Sequence, residues 1–196
     1  MYDQARTMHY FCPYGYIGLP PIGLAEKLSQ ILPGDMPYIF FSQDGSEAVE
    51  SAFKLAKQWA YHKGYRRKYK IISRRRAYHG STMGALAATG TMPPLREIME
   101  PLPPGYFFAP PPYCYRCPLG MSYPACNIEC VEQIRKLIEF EGADAVAAVI
   151  GEVVMAAGGC IVPPKEYWPR LREICTENNV LLIDDEVVCG FGRTGK

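Results

Sequence analysis

The sequence has no apolar run approaching the ~20 residues that a membrane-crossing helix needs, and Met1 is followed by a polar segment where an export leader carries its apolar stretch. A soluble, cytoplasmic protein is therefore expected. Charge of one sign is also missing, since 21 Lys and Arg stand against 20 Asp and Glu. No net field draws the chain to nucleic acid or to an anionic membrane, so partners must be read from local sites. Internal repeats and low-complexity tracts do not occur. Nor does the opening stretch, "MYDQARTMHYFCPYGYIGLPPIGLAEKL", offer a recognisable first strand or helix cap.

What is present is 48% hydrophobic content over 196 residues, enough to bury a sizeable core in one domain with or without extensions. Helix-like and strand-like segments alternate, the pattern of an α/β layer structure with a mostly parallel sheet. The expected helices are 22–32, 44–62, 81–89, 128–141 and 166–177. The expected strands are 38–42 ("YIFFS"), 70–73, 145–152 and 180–185, each a short apolar run bounded by turn signals. On the helix 44–62, Ala48, Ala52, Leu55 and Trp59 repeat on one face beside Val49, Ala56 and Ala60. Between 92 and 124 lie 10 of the 18 prolines, so that stretch reads as an ordered excursion outside the core, without long helices or central strands.

Polar groups collect where apolar runs end. In "FFSQDGSEAVE" a turn leads into the strongest helix; Asp44 and Glu47 fit a capping box, while Gly45 and Ser46 put bare backbone and a hydroxyl at the positive end of a helix dipole, where phosphate binds. In "AYHGSTMGAL" Tyr78 and His79 fall between a strand and a helix, the place where open α/β sheets hold ligands, and an aromatic ring there can stack on a planar molecule. Glu152 closes the run "AVAAVIGE". Asp184, Asp185 and Glu186 close another, and buried carboxylates call for a cationic partner. A phosphate cradle, a stacking ring and a carboxylate at neighbouring strand ends describe a site for a planar, phosphorylated, protonated heteroaromatic molecule, demands that pyridoxal phosphate meets. The basic run from Lys63 to Arg76 reads instead as a solvated face.

These motifs, in order, resemble the class III, or omega, aminotransferases of the type I pyridoxal-phosphate fold: "DGSEAVE", "AYHGSTMGAL", "AAVIGE" with its following "AAGG", and "LLIDDEVVCGFGRTGK". The resemblance implies a three-layer large domain with a mostly parallel sheet flanked by helices, present here in part. It implies that the backbone around Asp44, Gly45 and Ser46 holds the cofactor phosphate, that Tyr78 stacks on the ring with His79 beside it, that Asp185 pairs with the ring nitrogen, that Val187 packs on the opposite face, and that Glu152 acts near the substrate. Asp184 is expected on the other side of the strand, by the two-residue alternation. Val153 stands where the family commonly has proline, and Ala156 where glycine is common. The family's Schiff-base lysine lies beyond the "GFGRTG" turn and Lys196 does not match it, so the chain is expected to be an internal fragment: a lead-in and first helix over 1–37, then part of the cofactor-binding domain over 38–196 with a Pro- and Cys-rich excursion at 92–126.

The implied activity is transfer of an amino group from an amine or ω-amino acid to a 2-oxo acid acceptor, in a homodimer. A same-family aminomutase or decarboxylase is the near alternative. The alternative of another class comes from "CYRCPLGMSYPACNIEC", in which Cys114, Cys117, Cys126 and Cys130 come within reach of a zinc site, though only the first pair has strong ligand spacing. With no export leader, disulfides are the less expected use of these cysteines.

Overall fold

The computed structural model describes residues 1–10, 15–91 and 93–195. Cys12, Met92 at the start of the excursion, and Lys196 lie outside them. The chain divides into two compact units, Met1–Phe41 and Ser42–Lys196. In the first, α1 (Tyr2–Thr7) and α2 (Leu19–Ile31) bury no residue. Prolines in its first turn start α2, since their missing N–H groups are not needed there. Leu32, extended ahead of Pro33, ends it.

The second unit holds α3 (Gly45–His62), β1 (Lys70–Arg74), α4 (Met83–Ala88), α5 (Pro93–Met99), β2 (Tyr106–Ala109), a 3-10 turn at Cys114–Arg116, α6 (Glu129–Glu141), β3 (Val146–Glu152), α7 (Tyr167–Glu177) and β4 (Leu181–Asp185). Among the described residues four strands form one sheet in the order β2-β1-β3-β4, every pair parallel. The two faces of the sheet divide the core, with the alternation of β3 broken once where the register shifts opposite Lys70 and Ile71. Ile72, Val146 and Val149 pack with Ile134, Ile138, Leu171 and Ile174 of α6 and α7, whereas Ile71, Ala148 and Ile150 pack with Val49, Phe53 and Ala56 of α3 and Ala85 of α4. The expected three layers are present. Each Val, Ile, Leu or Phe side chain among these, taken out of water, contributes about 1.5–3 kcal/mol. At the strand starts the buried ammonium of Lys68 donates to the carbonyls of Ala143, Val146 and Asn179, which ties down the chain leaving α6 and α7.

Three expectations need correction. Residues 38–42 are not a buried strand: the segment has no strand structure, and Tyr38 is 93% and Phe40 69% exposed. An apolar run shows that burial is favourable without supplying a partner for its backbone. The proline-rich stretch is not wholly outside the core, because it carries β2, which pairs with β1, and Ala109, which is 1% exposed. An edge strand tolerates flanking prolines, whose absent donors fall outside the ladder. On α3 the buried stripe is Val49, Phe53, Ala56 and Ala60, one position round from the expected face, and Leu55 is exposed.

Candidate active site

The chain reverses its direction of travel across the sheet between β1 and β3, so the crevice at the carboxyl ends of these strands is a topological switch point. The loop after β1 carries Tyr78 and His79, β3 ends on Glu152 and β4 ends on Asp185. The N-terminus of α3 faces them. Asp44 is its N-cap: Oδ1 accepts the Glu47 N–H at 2.9 Å, while Glu47 Oε2 accepts the Gln43 N–H at 2.7 Å, one residue earlier than in a standard capping box. Asp44 thus turns its charge to the helix. The N–H groups of Gly45 and Ser46, in the first turn, have no acceptor within the helix. Ser46 Oγ accepts the Ser81 N–H at 3.1 Å and so joins α3 to the β1 loop. That junction needs glycine at position 80, where φ is +130° and a Cβ would lie 2.5 Å from Ser46 Oγ.

Asp185 is buried and both its oxygens are engaged. Oδ2 lies 2.7 Å from His79 Nδ1, and Oδ1 accepts the Val187 N–H at 3.2 Å. An ionised Asp185 fixes the proton on Nδ1, which leaves Nε2 without a partner among the described residues. The His79 main chain is held in turn, its N–H donating to Thr89 Oγ1 at 3.0 Å. A carboxylate has about four acceptor sites. Asp185 therefore retains the capacity to meet a cation.

Glu152 serves the main chain. Its Oε1 accepts the Tyr78 N–H at 3.0 Å and its Oε2 the Ala156 N–H at 3.2 Å. Burial pushes its carboxyl above the ordinary range, opposed by the Tyr78 N–H and by the charges of His79 and Arg74. Asp184 differs again. By alternation it shares the Leu182 side of β4, and loss of surrounding water, reinforced by Glu186 and Asp185, pushes it up to about 6 although the residue keeps an exposed face.

Asp44, Gly45, Ser46, Tyr78, His79, Asp185 and Val187 all border one open cavity of about 390 Å³; Glu152 does not. An adjoining space of about 480 Å³ shares Gly45, Asp185 and Val187 and is walled by Ala48, Ala52 and Ile183. These volumes suit small molecules. Helix N–H donors at one end, a buried carboxylate at the other, and an aromatic and a branched side chain between them can hold a planar molecule that is anionic at one end and cationic in its ring.

The four clustered cysteines border a different and much smaller cavity, of about 20 Å³, beside the start of α6. Burial and the neighbouring thiols push Cys130 up to about 12. Among the described residues, however, no three His, Cys, Asp or Glu side chains are placed to hold a metal ion. The spacing brought the cysteines to one cavity without arranging them as ligands.

The chain matches the Aminotransferase class-III family model over residues 1–196. It belongs to the class III aminotransferases. It is 48% identical over 192 residues to a probable aminotransferase of Mycobacterium tuberculosis, covering 98% of this chain and 41% of that one. A putrescine–pyruvate aminotransferase of Pseudomonas aeruginosa is 36% identical over 194 residues, or 98% and 42%. The crystal structure of an (S)-enantioselective omega-transaminase from Thermomicrobium roseum superposes with a TM-score of 0.94 at 39% identity, over 100% of this chain and 44% of that one. The chain thus spans less than half the length of these relatives.

Among class III motifs, the sequence pointed to the strand ends but not to the groups behind them. Thr89, the His79 contact to Asp185, and the Arg74 contact to Glu152 join residues 10, 106 and 78 positions apart. Cys189 is a fourth such group, its thiol lying 3.3 Å from the Val154 N–H across the β3 and β4 loops. The basic run expected to be a solvated face also needs correction, because Arg74 and Lys68 within it are 1% and 5% exposed.

Proposed function

We propose that this chain forms part of the cofactor domain of a pyridoxal-phosphate-dependent aminotransferase that moves an amino group from an amine or ω-amino acid to a 2-oxo acid. The observation that carries this reading is Asp185, buried at the end of β4, fixed by His79 and Val187, and bordering the same cavity as the N-terminus of α3. The residues fit the cofactor. Open N–H groups of Gly45 and Ser46 and the Ser46 hydroxyl suit its phosphate, at the positive end of the α3 dipole. Asp44, committed to its cap, keeps its charge off that anion. Tyr78 and Val187 suit the two faces of the ring, and Asp185 suits its protonated nitrogen.

When bound, the protonated pyridine ring supplies an electron sink for the carbanion formed at the substrate carbon. The part of Asp185 is to keep that ring protonated, and its burial makes the ion pair stronger than it is in water. His79 keeps Asp185 aimed by donating from Nδ1. Glu152, its oxygens on two main-chain N–H groups, holds the Tyr78 loop in place and is assigned positioning in preference to proton transfer. The family resemblance further takes the full-length enzyme to be a cytoplasmic homodimer, of which sedimentation tests the second part.

Product analysis on the full-length enzyme tests the reaction. Transamination couples loss of the donor amine to stoichiometric appearance of a new amino acid from pyruvate or 2-oxoglutarate. Donor turnover with no amino acid formed from the acceptor points instead to the aminomutase or decarboxylase reading.

A further inference from the structure

Arg74 ends β1 with its side chain inside the protein, at 1% exposure. Its guanidinium lies 5.4 Å from the Trp168 ring centroid and 5.9 Å from that of Tyr167. Among the described residues it forms no ion pair with a carboxylate, and its Nε and Nη1 have no hydrogen-bond partner. Among the described residues its one side-chain hydrogen bond is from Nη2 to the Glu152 carbonyl, at 2.6 Å. The strand beside it makes room: a Cβ on Gly151 would come within 2.9 Å of Nη2 and 3.0 Å of Trp168 Cη2. A cation so buried, stacked on rings but without a carboxylate, costs stability relative to an apolar side chain of its size. Packing alone does not account for it.

We propose that Arg74 is a positioning residue, whose grip on the Glu152 carbonyl fixes the strand end from which the Glu152 carboxylate holds the main chain of Tyr78. The link closes on itself. Residue 74 holds residue 152 through a side chain, and residue 152 holds residue 78 through another, so the three residues that separate Arg74 from Tyr78 are clamped to β3 at both ends. The same carboxylate holds Ala156, so the loop after β3 is set by the same device. The positive charge of Arg74 also favours the ionised Glu152, the form that can accept both N–H groups. The consequence for ligand binding, a Tyr78 ring held at one angle over the cavity, rests on the cofactor reading above.

The test uses the full-length enzyme with Arg74→Met, which keeps bulk and ring contact but donates nothing, Arg74→Lys, which keeps the charge, Glu152→Gln, and the Arg74→Met/Glu152→Gln pair. In the cofactor-free form, hydrogen exchange followed by mass spectrometry is expected to speed at least about tenfold at the amides of Tyr78 and Ala156 in Arg74→Met, with α6 and α7 unchanged and Arg74→Lys in between. Pyridoxal-phosphate titration is expected to give Kd about tenfold higher in Arg74→Met and in Glu152→Gln, and no higher in the pair, because both act through one link. Unchanged exchange at Tyr78, or effects on Kd that multiply in the pair, overturn the role. Should Arg74→Met not fold, the exchange and Kd of Arg74→Lys and Glu152→Gln decide the matter alone. An unsubstituted enzyme that binds no pyridoxal phosphate defeats the cofactor reading, while the exchange measurement still decides the Arg74 link.

Discussion

His79 holds Asp185 through a single short contact, Nδ1 to Oδ2 at 2.7 Å, with the two side chains 0% and 6% exposed. The imidazole fixes the orientation of the carboxylate, and the carboxylate fixes the tautomer of the imidazole. A hydrogen bond to a charged group contributes about 1.5–3 kcal/mol. In the full-length enzyme His79→Phe is therefore expected to lower kcat about 10–100-fold. His79→Asn, whose amide nitrogen can stand near the position of Nδ1, is expected to recover part of that loss. Steady-state kinetics with melting temperatures checks both, and equal losses in the two variants contradict the orienting role.

The junction between α3 and the β1 loop makes a stability prediction. Gly80→Ala places a methyl group 2.5 Å from Ser46 Oγ and 2.9 Å from the Ala85 Cβ, at a φ that L side chains rarely adopt. Overpacking of this kind costs about 1–3 kcal/mol, with backbone strain added. Denaturant titration is expected to show a lower midpoint at unchanged slope. A midpoint equal to that of the unsubstituted protein means that the loop and helix do not approach this closely.

Asp184 gives the protein a pH dependence of definite sign. Its folded pKa, pushed up to about 6, exceeds its ordinary value of 3.8. Between these values the folded chain holds a proton that the unfolded chain has released, so Asp184 lowers stability as pH rises through the window. Asp184→Asn cannot ionise. Its melting temperature is expected to exceed that of the unsubstituted protein at about pH 7.5, and the difference to vanish near pH 4. A difference that is independent of pH sinks this assignment.

The strand ends were legible in the sequence because carboxylates, a histidine and glycines interrupt apolar runs where a buried sheet gives way to loops. The resemblance to class III enzymes then gave an order to what spacing alone left as separate sites. Other features are not local. Tyr38 to Ser42 is as apolar as β3, but whether such a run pairs depends on a neighbour that the run itself does not specify. Strand β2 lay hidden because prolines on both sides mask a four-residue element whose identity comes from pairing with β1. Periodicity found the helix α3 but placed its buried stripe one position away, since small residues on two adjacent faces give nearly the same pattern. Arg74 and Glu152 were visible as charges, but their contact spans 78 positions, and only the folded sheet brings them together.

The assignment of Asp185 to a protonated ring is the centre of the account, and Asp185→Asn in the full-length enzyme tests it most directly. The substitution keeps size and hydrogen-bonding shape but removes the negative charge. Circular dichroism and melting temperature are expected to match the unsubstituted enzyme while amino-group transfer falls by at least about a hundredfold, the scale on which electrostatic groups at reacting centres act. A folded Asp185→Asn enzyme that turns over at the original rate contradicts it.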